Sequence, residues 1–210
     1  MEGKSVKTKS EEVFEGFLSH NSLAFEKIGE VSSTRLDSVH ASNRRPDYLV
    51  QVGDCKLIFE VKQLEGNFRG VPGIHVRSAI QRSRRQIQYG AGQGVPSILL
   101  IYNMIDPGFQ LSGTDDLDFE TAMYGQKTIL IDRNTGESSG LFNGRRDSLQ
   151  ENLNTSFSAV GKLADRVGKP TVKLFENFYA KVQVPYDQLP PCFGVVRVAV
   201  SKVDPFSARE

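Results

Sequence analysis

Three charged residues stand close together in a stretch of this sequence that is otherwise apolar. Asp47 begins the run Asp-Tyr-Leu-Val-Gln-Val, and Glu60 and Lys62 lie in the run Lys-Leu-Ile-Phe-Glu-Val-Lys-Gln-Leu. Two carboxylates supply the hard oxygen ligands that Mg²⁺ prefers. The ion can lower the pKa of water, and a nearby ammonium can stabilise charge that develops in a transition state. These residue types at this spacing predict metal-assisted hydrolysis of a phosphate ester.

The two runs are predicted to form a β-hairpin, because Gly53-Asp54 between them is a turn signal. Side chains alternate along a strand, so Glu60 and Lys62 share one face. Both faces are otherwise apolar, which predicts a central strand in which unpaired charges are costly. We therefore expect Asp47 to converge with this pair, with the main-chain carbonyl of Val61 as a further metal ligand. The alternative is an edge hairpin whose charges lie in solvent.

Hydrophobic periodicity predicts the elements on either side of this hairpin. Thr8 and Glu11 have the spacing of a capping box at the start of a first helix. Further along, Pro96 precedes a continuous apolar run that is typical of a strand buried on both faces. The predicted elements are a helix over 9–20, a short strand over 24–28, the hairpin, a helix over 75–89 and a strand over 97–102.

Pro46-Asp47, followed after twelve residues by Glu60-Val61-Lys62, resembles the motif of the PD-(D/E)XK nucleases. The resemblance covers roughly residues 10–103, and the family's order of helix, strand, motif-bearing hairpin, helix and strand is the order predicted above. It implies an α/β fold with a restriction-endonuclease-like core and a mixed central sheet. It also implies a metal-dependent nuclease that acts on nucleic acid, with DNA favoured and Mg²⁺ or Mn²⁺ as cofactor.

The resemblance also implies roles for particular residues. Asp47, Glu60 and Lys62 are expected to be catalytic, and Asp47, Glu60 and Val61 to bind the metal. Family members often carry a glutamate on the first helix. Glu15 is our first choice for it and Glu11 the second, because both flank the apolar face, whereas Glu12 lies opposite. The alternative for Glu15 is a solvated helix flank.

A polar residue on the second core helix is also common in the family. Gln86 fits that position at the edge of the apolar face of the helix over 75–89, although a solvated side chain is the simpler interpretation. Arginines near the site are candidates for contacts with phosphates, or form only a solvated face. The candidates are Arg44, Arg45, Arg82 and Arg85.

The second half of the chain carries weaker patterns. We expect an acidic loop over 106–118, a hairpin that pairs 128–132 with 139–142, a polar loop over 143–156, and strands within 172–184 and 193–200. The predicted organisation is a flexible arm over 1–9, the nuclease core over 10–103, and an extension of the same sheet over 104–210. A chain of 210 residues can bury a core without disulfides.

Composition excludes several classes of protein. Two cysteines are too few for a disulfide framework or a cysteine zinc site. No apolar run approaches the roughly 20 residues that span a bilayer, and no signal-peptide pattern is present, so we expect a cytoplasmic protein without membrane contacts. The formal net charge is only +1, so any basic surface must be local. Cutting both strands of a duplex would favour a homodimer.

A rival motif and a rival function need to be weighed. Gly136-Glu-Ser-Ser-Gly140 matches the nucleophile elbow of serine hydrolases, but all three histidines precede it and no helix pattern follows, which predicts a hairpin loop. The alternative to an enzyme is an inactive nucleic-acid-binding or assembly subunit that keeps the nuclease fold. The retained acidic pair and lysine argue against it, since a protein that does not cleave has no need to hold them together.

Overall fold

The computed structural model describes residues 7–28, 45–66, 73–105, 115–144, 147–166 and 168–198. Within these ranges the helices are α1 (Lys9–His20), α2 (Ile74–Ala91) and α3 (Asp115–Tyr124), together with a single 3-10 turn (Tyr186–Gln188). The strands are β1 (Phe25–Lys27), β2 (Tyr48–Val52), β3 (Cys55–Leu64), β4 (Ser97–Asn103), β5 (Lys127–Thr128), β6 (Phe142–Asn143), β7 (Ala159–Arg166), β8 (Lys169–Glu176) and β9 (Phe193–Val196).

Seven strands form one mixed sheet in the order β1-β2-β3-β4-β7-β8-β9. The pairs β1–β2, β2–β3 and β7–β8 are antiparallel, whereas β3–β4, β4–β7 and β8–β9 are parallel. Helix α2 provides the crossover between the parallel strands β3 and β4. The chain is thus an α/β protein with a mixed central sheet, and strands from both halves of the sequence contribute to that sheet.

Helices cover both faces of the sheet and divide the core in two. Helix α1 buries Val13, Phe14, Phe17 and Leu18 in a cluster with Phe59 and other residues of one face. Helices α2 and α3 pack on the other face, in a second cluster that contains Leu99 and Ile101 of β4. Strand β3 therefore has both faces covered over most of its length.

The elements that position the motif were predicted correctly. Helix α1 begins with the expected capping box, in which the Thr8 hydroxyl accepts from the Glu11 N–H and the Glu11 carboxylate accepts from the Thr8 N–H at 2.7 Å. Strands β1 to β4 and helix α2 agree with the predicted ranges to within a few residues. The edge-hairpin alternative is wrong, because β3 lies between β2 and β4.

One prediction for the second half is wrong, and one strand was missed. The acidic segment 106–118 was expected to be a loop, but α3 begins at Asp115; residues 106–114 lie outside the described ranges. Strand β7 was not predicted at all, because Gly161, Lys162 and Asp165 have low strand propensity. Packing against β4 and β8 overrides that propensity.

The predicted second hairpin is confirmed. Strands β5 and β6 pair antiparallel, and a bridge joins Ile131 to Ser138 across the turn. The Gly136-Glu-Ser-Ser-Gly140 motif lies in this hairpin, and the strand β6 rather than a helix follows it. The motif is therefore not a nucleophile elbow. Among the described helices, none combines the length and apolar character that crossing a bilayer requires.

Candidate active site

The β2–β3 hairpin brings Asp47 beside Glu60. Tyr48 pairs with Phe59, so the residue before Tyr48 lies opposite the residue after Phe59. Two hydrogen bonds fix Asp47 there: its N–H donates to the Phe59 carbonyl at 3.1 Å, and its carboxylate accepts from the Val61 N–H at 2.8 Å. Two carboxylates are thus neighbours across the hairpin.

Glu60 is buried under α2. Its cross-strand partner is Leu99, which belongs to the α2 side of the core, and register partners share a face of the sheet. The residue is only 1% exposed. One carboxylate oxygen forms an ion pair with Lys62, and the other has no hydrogen-bond partner among the described residues. Burial and the negative charge of Asp47 raise the pKa of Glu60 to about 7, against the lowering effect of Lys62.

Asp47 is partly buried and its pKa is also raised. Burial is the largest cause. The Val61 N–H and the Lys62 ammonium act in the opposite direction, while the charge of Glu11 adds to the rise. Both carboxyl groups therefore bind protons more tightly than in water. A cation between them would replace those protons and relieve the repulsion between the two charges.

Lys62 connects this buried pair to the surface. Its side chain is 35% exposed while it pairs with Glu60. It lines two clefts between β3 and α2. We call the first, of about 710 Å³, the basic cleft; it is lined by Lys62, Gln81, Arg82, Arg84, Arg85, Gln86 and Gln88. The second cleft, of about 440 Å³, is lined by Lys62, Gln63, Leu64, Glu65, Gly66, Ile74, His75, Ser78, Ala79 and Arg82.

The donor set fits a hydrated Mg²⁺ ion. Asp47 and Glu60 offer carboxylate oxygens, and the buried Glu60 Oε2 atom lacks a hydrogen-bond donor in the described structure. The Val61 N–H is directed at Asp47, and a residue's carbonyl points to the same side of a strand as its N–H, so the Val61 carbonyl points to the β2 side of β3. In the part of the chain that the structure describes, no three His, Cys, Asp or Glu residues cluster as a metal site. Mg²⁺ commonly uses one or two carboxylates and retains several waters.

Glu15 has three partners of its own. Its carboxylate forms ion pairs with Lys7 at 2.6 Å and Lys27 at 2.9 Å, and accepts a hydrogen bond from the Tyr48 hydroxyl at 2.9 Å. Burial would raise its pKa, but these three partners lower it overall. The structure thus places Glu15 in a network that ties α1 to β1 and β2.

Glu11, the second choice on α1, acts on Asp47 through its charge. It also completes the helix cap, because its carboxylate accepts from the N–H and the hydroxyl of Thr8. Glu12 is exposed and lies 3.6 Å from Lys9. Of these three glutamates, Glu11 is therefore the one that bears electrostatically on the candidate site.

Gln86 lies in the basic cleft with Lys62. Helix α2 approaches the sheet closely at Gly90, where an added Cβ would lie 2.6 Å from Ile58 Cδ1. The buried Gln86 Oε1 atom has no hydrogen-bond partner among the described residues. Gln86 is half-buried, and its free acceptor suits a water or ligand in the cleft.

The arginines differ in placement. Arg82 and Arg85 are exposed, line the basic cleft and form no ion pair with a carboxylate of the described structure. Arg45 is exposed beside Pro46, and Arg44 lies outside the described residues. Sequence reasoning did not identify Gln81 and Gln88 as cleft residues. Their spacing of seven places them on one face of α2, so helical periodicity could have found them.

Comparisons with known proteins add no assignment to this geometry: no protein-family model, no curated protein and no solved structure matches the chain. The functional interpretation therefore rests on the site itself.

Proposed function

We propose that this protein is a metal-dependent nuclease with a restriction-endonuclease-like core, which hydrolyses phosphodiester bonds in nucleic acid and most readily in DNA. The observation that carries the proposal is the pairing of Asp47 with the buried Glu60, with Lys62 at the mouth of a basic cleft. Placing two carboxylates side by side, one of them fully buried, is costly, and carboxyl groups with raised pKa values beside a cleft are typical of functional sites.

The order of the elements supports the same proposal. Helix α1, strand β1, the β2–β3 hairpin, helix α2 and strand β4 follow one another as in the PD-(D/E)XK core. The proposed motif residues lie on that hairpin, where the resemblance requires them. This support is one of topology, and the chemistry depends on the residues of the site.

Each residue has a distinct part in the proposed reaction. Asp47, Glu60 and the Val61 carbonyl hold Mg²⁺ or Mn²⁺, which when bound acidifies water and offsets negative charge on the phosphate. The Lys62 ammonium stabilises charge that develops on the phosphate in the transition state. Gln86 accepts a hydrogen bond from water in the basic cleft, and the arginines of that cleft position the nucleic-acid backbone.

An inactive nucleic-acid-binding protein is the second candidate. Lys62 is already paired with Glu60, and an ion pair of this kind can hold the hairpin to the sheet without any catalysis. The described carboxylates also number two rather than three at this site. Under this interpretation the basic cleft binds nucleic acid, and divalent ions affect neither binding nor stability.

The decisive experiment compares the parent with an Asp47→Asn/Glu60→Gln variant on single- and double-stranded DNA and RNA, each with Mg²⁺, Mn²⁺ or EDTA. A nuclease cleaves at least one substrate with metal, and neither EDTA nor the variant supports cleavage. Cleavage that survives in the variant would show a contaminating enzyme or a different site. Binding without cleavage under every condition would favour the inactive protein.

A further inference from the structure

The two clefts beside β3 meet at a pair of cations. Lys62 and Arg82 line both the basic cleft and the second cleft, so they stand at the boundary between them. Lys62 also reaches the buried Glu60. A phosphate bound by these two cations would have one cleft on either side of it, and Lys62 would link it to the buried Glu60 carboxylate.

The clefts differ in the charges that they add to this boundary. The basic cleft adds Arg84 and Arg85 and no carboxylate. Among its described lining residues, the second cleft adds the carboxylate of Glu65 and neither a lysine nor an arginine. Within the described structure, Arg84 and Arg85 form no ion pair, so their charges are not neutralised by the protein. Among the described lining residues, positive charge therefore lies on one side of the boundary.

We propose that the site binds its nucleic-acid substrate mainly on one side of the Lys62–Arg82 boundary. The phosphates that lie in the basic cleft supply most of the affinity, and those in the second cleft contribute little. This inference rests on the proposed function, since it places the reacting phosphate at Lys62 and Arg82. It assigns Arg84 and Arg85 as substrate-positioning residues. It also means that the product lying in the basic cleft dissociates more slowly than the other product.

The spacing and chemistry of the cleft suit a nucleic-acid backbone. Arg82 and Arg85 are three residues apart, about 4.5 Å along the helix axis, and nucleotides of a duplex strand rise about 3.4 Å each. Side chains at this spacing reach successive phosphates. The described lining of the basic cleft has no aromatic ring on which a base could stack. Its arginines offer contacts with the phosphate backbone, which position a strand.

The test is a scan with neutral linkages. A DNA duplex of about 20 base pairs is made with one methylphosphonate at each position of a strand in turn, and binding is measured in Ca²⁺. Each neutral linkage inside the segment bound by the basic cleft should weaken binding about two- to fivefold, as expected for an exposed charge pair. Arg82→Gln should reduce sensitivity at one linkage, where Lys62 remains, and Arg84→Gln/Arg85→Gln should abolish it at linkages on one side of that position. Glu65→Gln serves as the control and should leave the pattern unchanged.

The position of the Arg82-dependent linkage decides the result. The inference requires it at one end of the sensitive segment; a position in the middle, or an unchanged pattern in the Arg84→Gln/Arg85→Gln variant, would overturn it. A parallel cleavage assay on the unmodified duplex with Mg²⁺ separates the two proposals. If the duplex is cleaved but the Arg82-dependent linkage lies in the middle of the sensitive segment, one-sided binding is wrong and the nuclease proposal stands. If that linkage lies at one end but no cleavage occurs, one-sided binding stands and the nuclease proposal is wrong.

Discussion

The carboxylate of Asp47 accepts a 2.8 Å hydrogen bond from the main-chain N–H of Val61. Strand β2 begins one residue later, so the Asp47 side chain accepts a main-chain hydrogen bond just beyond the end of the β2–β3 pairing. The bond holds one carboxylate against the strand that carries the other. The acidic pair is therefore positioned by the backbone of a central strand and not by flexible surface loops, which favours a preorganised cation site.

Removing both carboxylates should abolish stabilisation by metal. At a Mg²⁺ concentration of 100 times Kd, binding adds about 2.7 kcal/mol to the free energy of unfolding, or roughly 5–10 °C in Tm for a chain of this size. We expect that gain in the parent and none in Asp47→Ala/Glu60→Ala, measured by thermal melts with Mg²⁺ and EDTA. Glu26→Ala/Asp54→Ala removes two exposed carboxylates and is the matched control. An equal shift in both double variants would refute the metal site.

The metal-free protein should lose stability as pH rises. The pKa of Glu60 is about 7 in the folded state against 4.5 as its ordinary value. Above pH 4.5 the unfolded chain releases this proton while the folded protein keeps it, so the free energy of unfolding falls until the pH passes about 7. The fall is at most about 3 kcal/mol. Asp47 acts in the same direction, because its pKa is also raised.

Thermal melts between pH 4.5 and 7.5 in EDTA check this dependence. Glu60→Gln should flatten most of the curve, since the amide does not titrate. Mg²⁺ competes with the proton, so its stabilising effect should grow over the same range. A parent protein whose Tm rises steadily from pH 5 to 7 would show that Glu60 ionises normally, against the burial described here.

Lys62→Ala should separate catalysis from binding. The ammonium is expected to act on charge that develops in the transition state, so the single-turnover cleavage rate at saturating Mg²⁺ should fall about a hundredfold. Affinity for DNA in Ca²⁺ should change little. Lys56→Ala, an exposed lysine on the same strand, should cleave at the parental rate. Loss of folding in Lys62→Ala, detected by circular dichroism, would instead identify the Glu60–Lys62 pair as structural.

The basic cleft should determine the salt dependence of binding. Arg82→Gln/Arg85→Gln should weaken affinity for unrelated DNA sequences to the same extent. The slope of log K against log salt concentration should become shallower by about one unit per lost phosphate contact. Arg133→Gln removes an exposed arginine from the β5–β6 hairpin and should leave the slope unchanged. Equal slopes in all three proteins would mean that the cleft does not contact phosphates.

Glu15→Ala should reduce stability and spare metal binding. Tyr48 is fully buried, and its hydroxyl would lose the Glu15 carboxylate as acceptor, which costs about 1–3 kcal/mol. Denaturant titration measures this loss, and Glu12→Ala, at an exposed position of the same helix, should show almost none. If Mg²⁺ affinity fell in Glu15→Ala as in the Asp47→Ala/Glu60→Ala variant, Glu15 would belong to the metal site after all.

Local sequence signals were sufficient to predict the first half of the fold. Apolar periodicity, the cap at Thr8 and the turn at Gly53-Asp54 are each encoded within a few residues, and all three are present in the structure. The pairing of Asp47 with Glu60 follows from the hairpin alone. For that reason the centre of the candidate site could be predicted without knowledge of distant contacts.

The second half depends on contacts that no local pattern reveals. In the sequence, Lys162 is a charged residue that argues against a buried strand. In the structure it is buried in β7 and pairs with Asp116 at 3.3 Å. Asp116 also binds Lys173, and Asp118 accepts the Gly73 N–H at 2.8 Å, so residues that suggested a loop are anchors at the start of α3. The environment of Glu15 could not be predicted from local sequence either, because its partners come from the residues before α1 and from β1 and β2.

The position of β7 beside β4 has a consequence for how the chain can be divided. Strand β4 is buried on both faces and hydrogen-bonded on both edges, but its second neighbour is encoded more than fifty residues later. A fragment that stops after residue 103 would contain the whole motif and still leave its most apolar strand with an unpaired row of N–H and C=O groups. Such an edge is a template for association with other chains. Minimal fragments built around the motif should therefore aggregate, because the second partner of β4 is supplied by distant sequence.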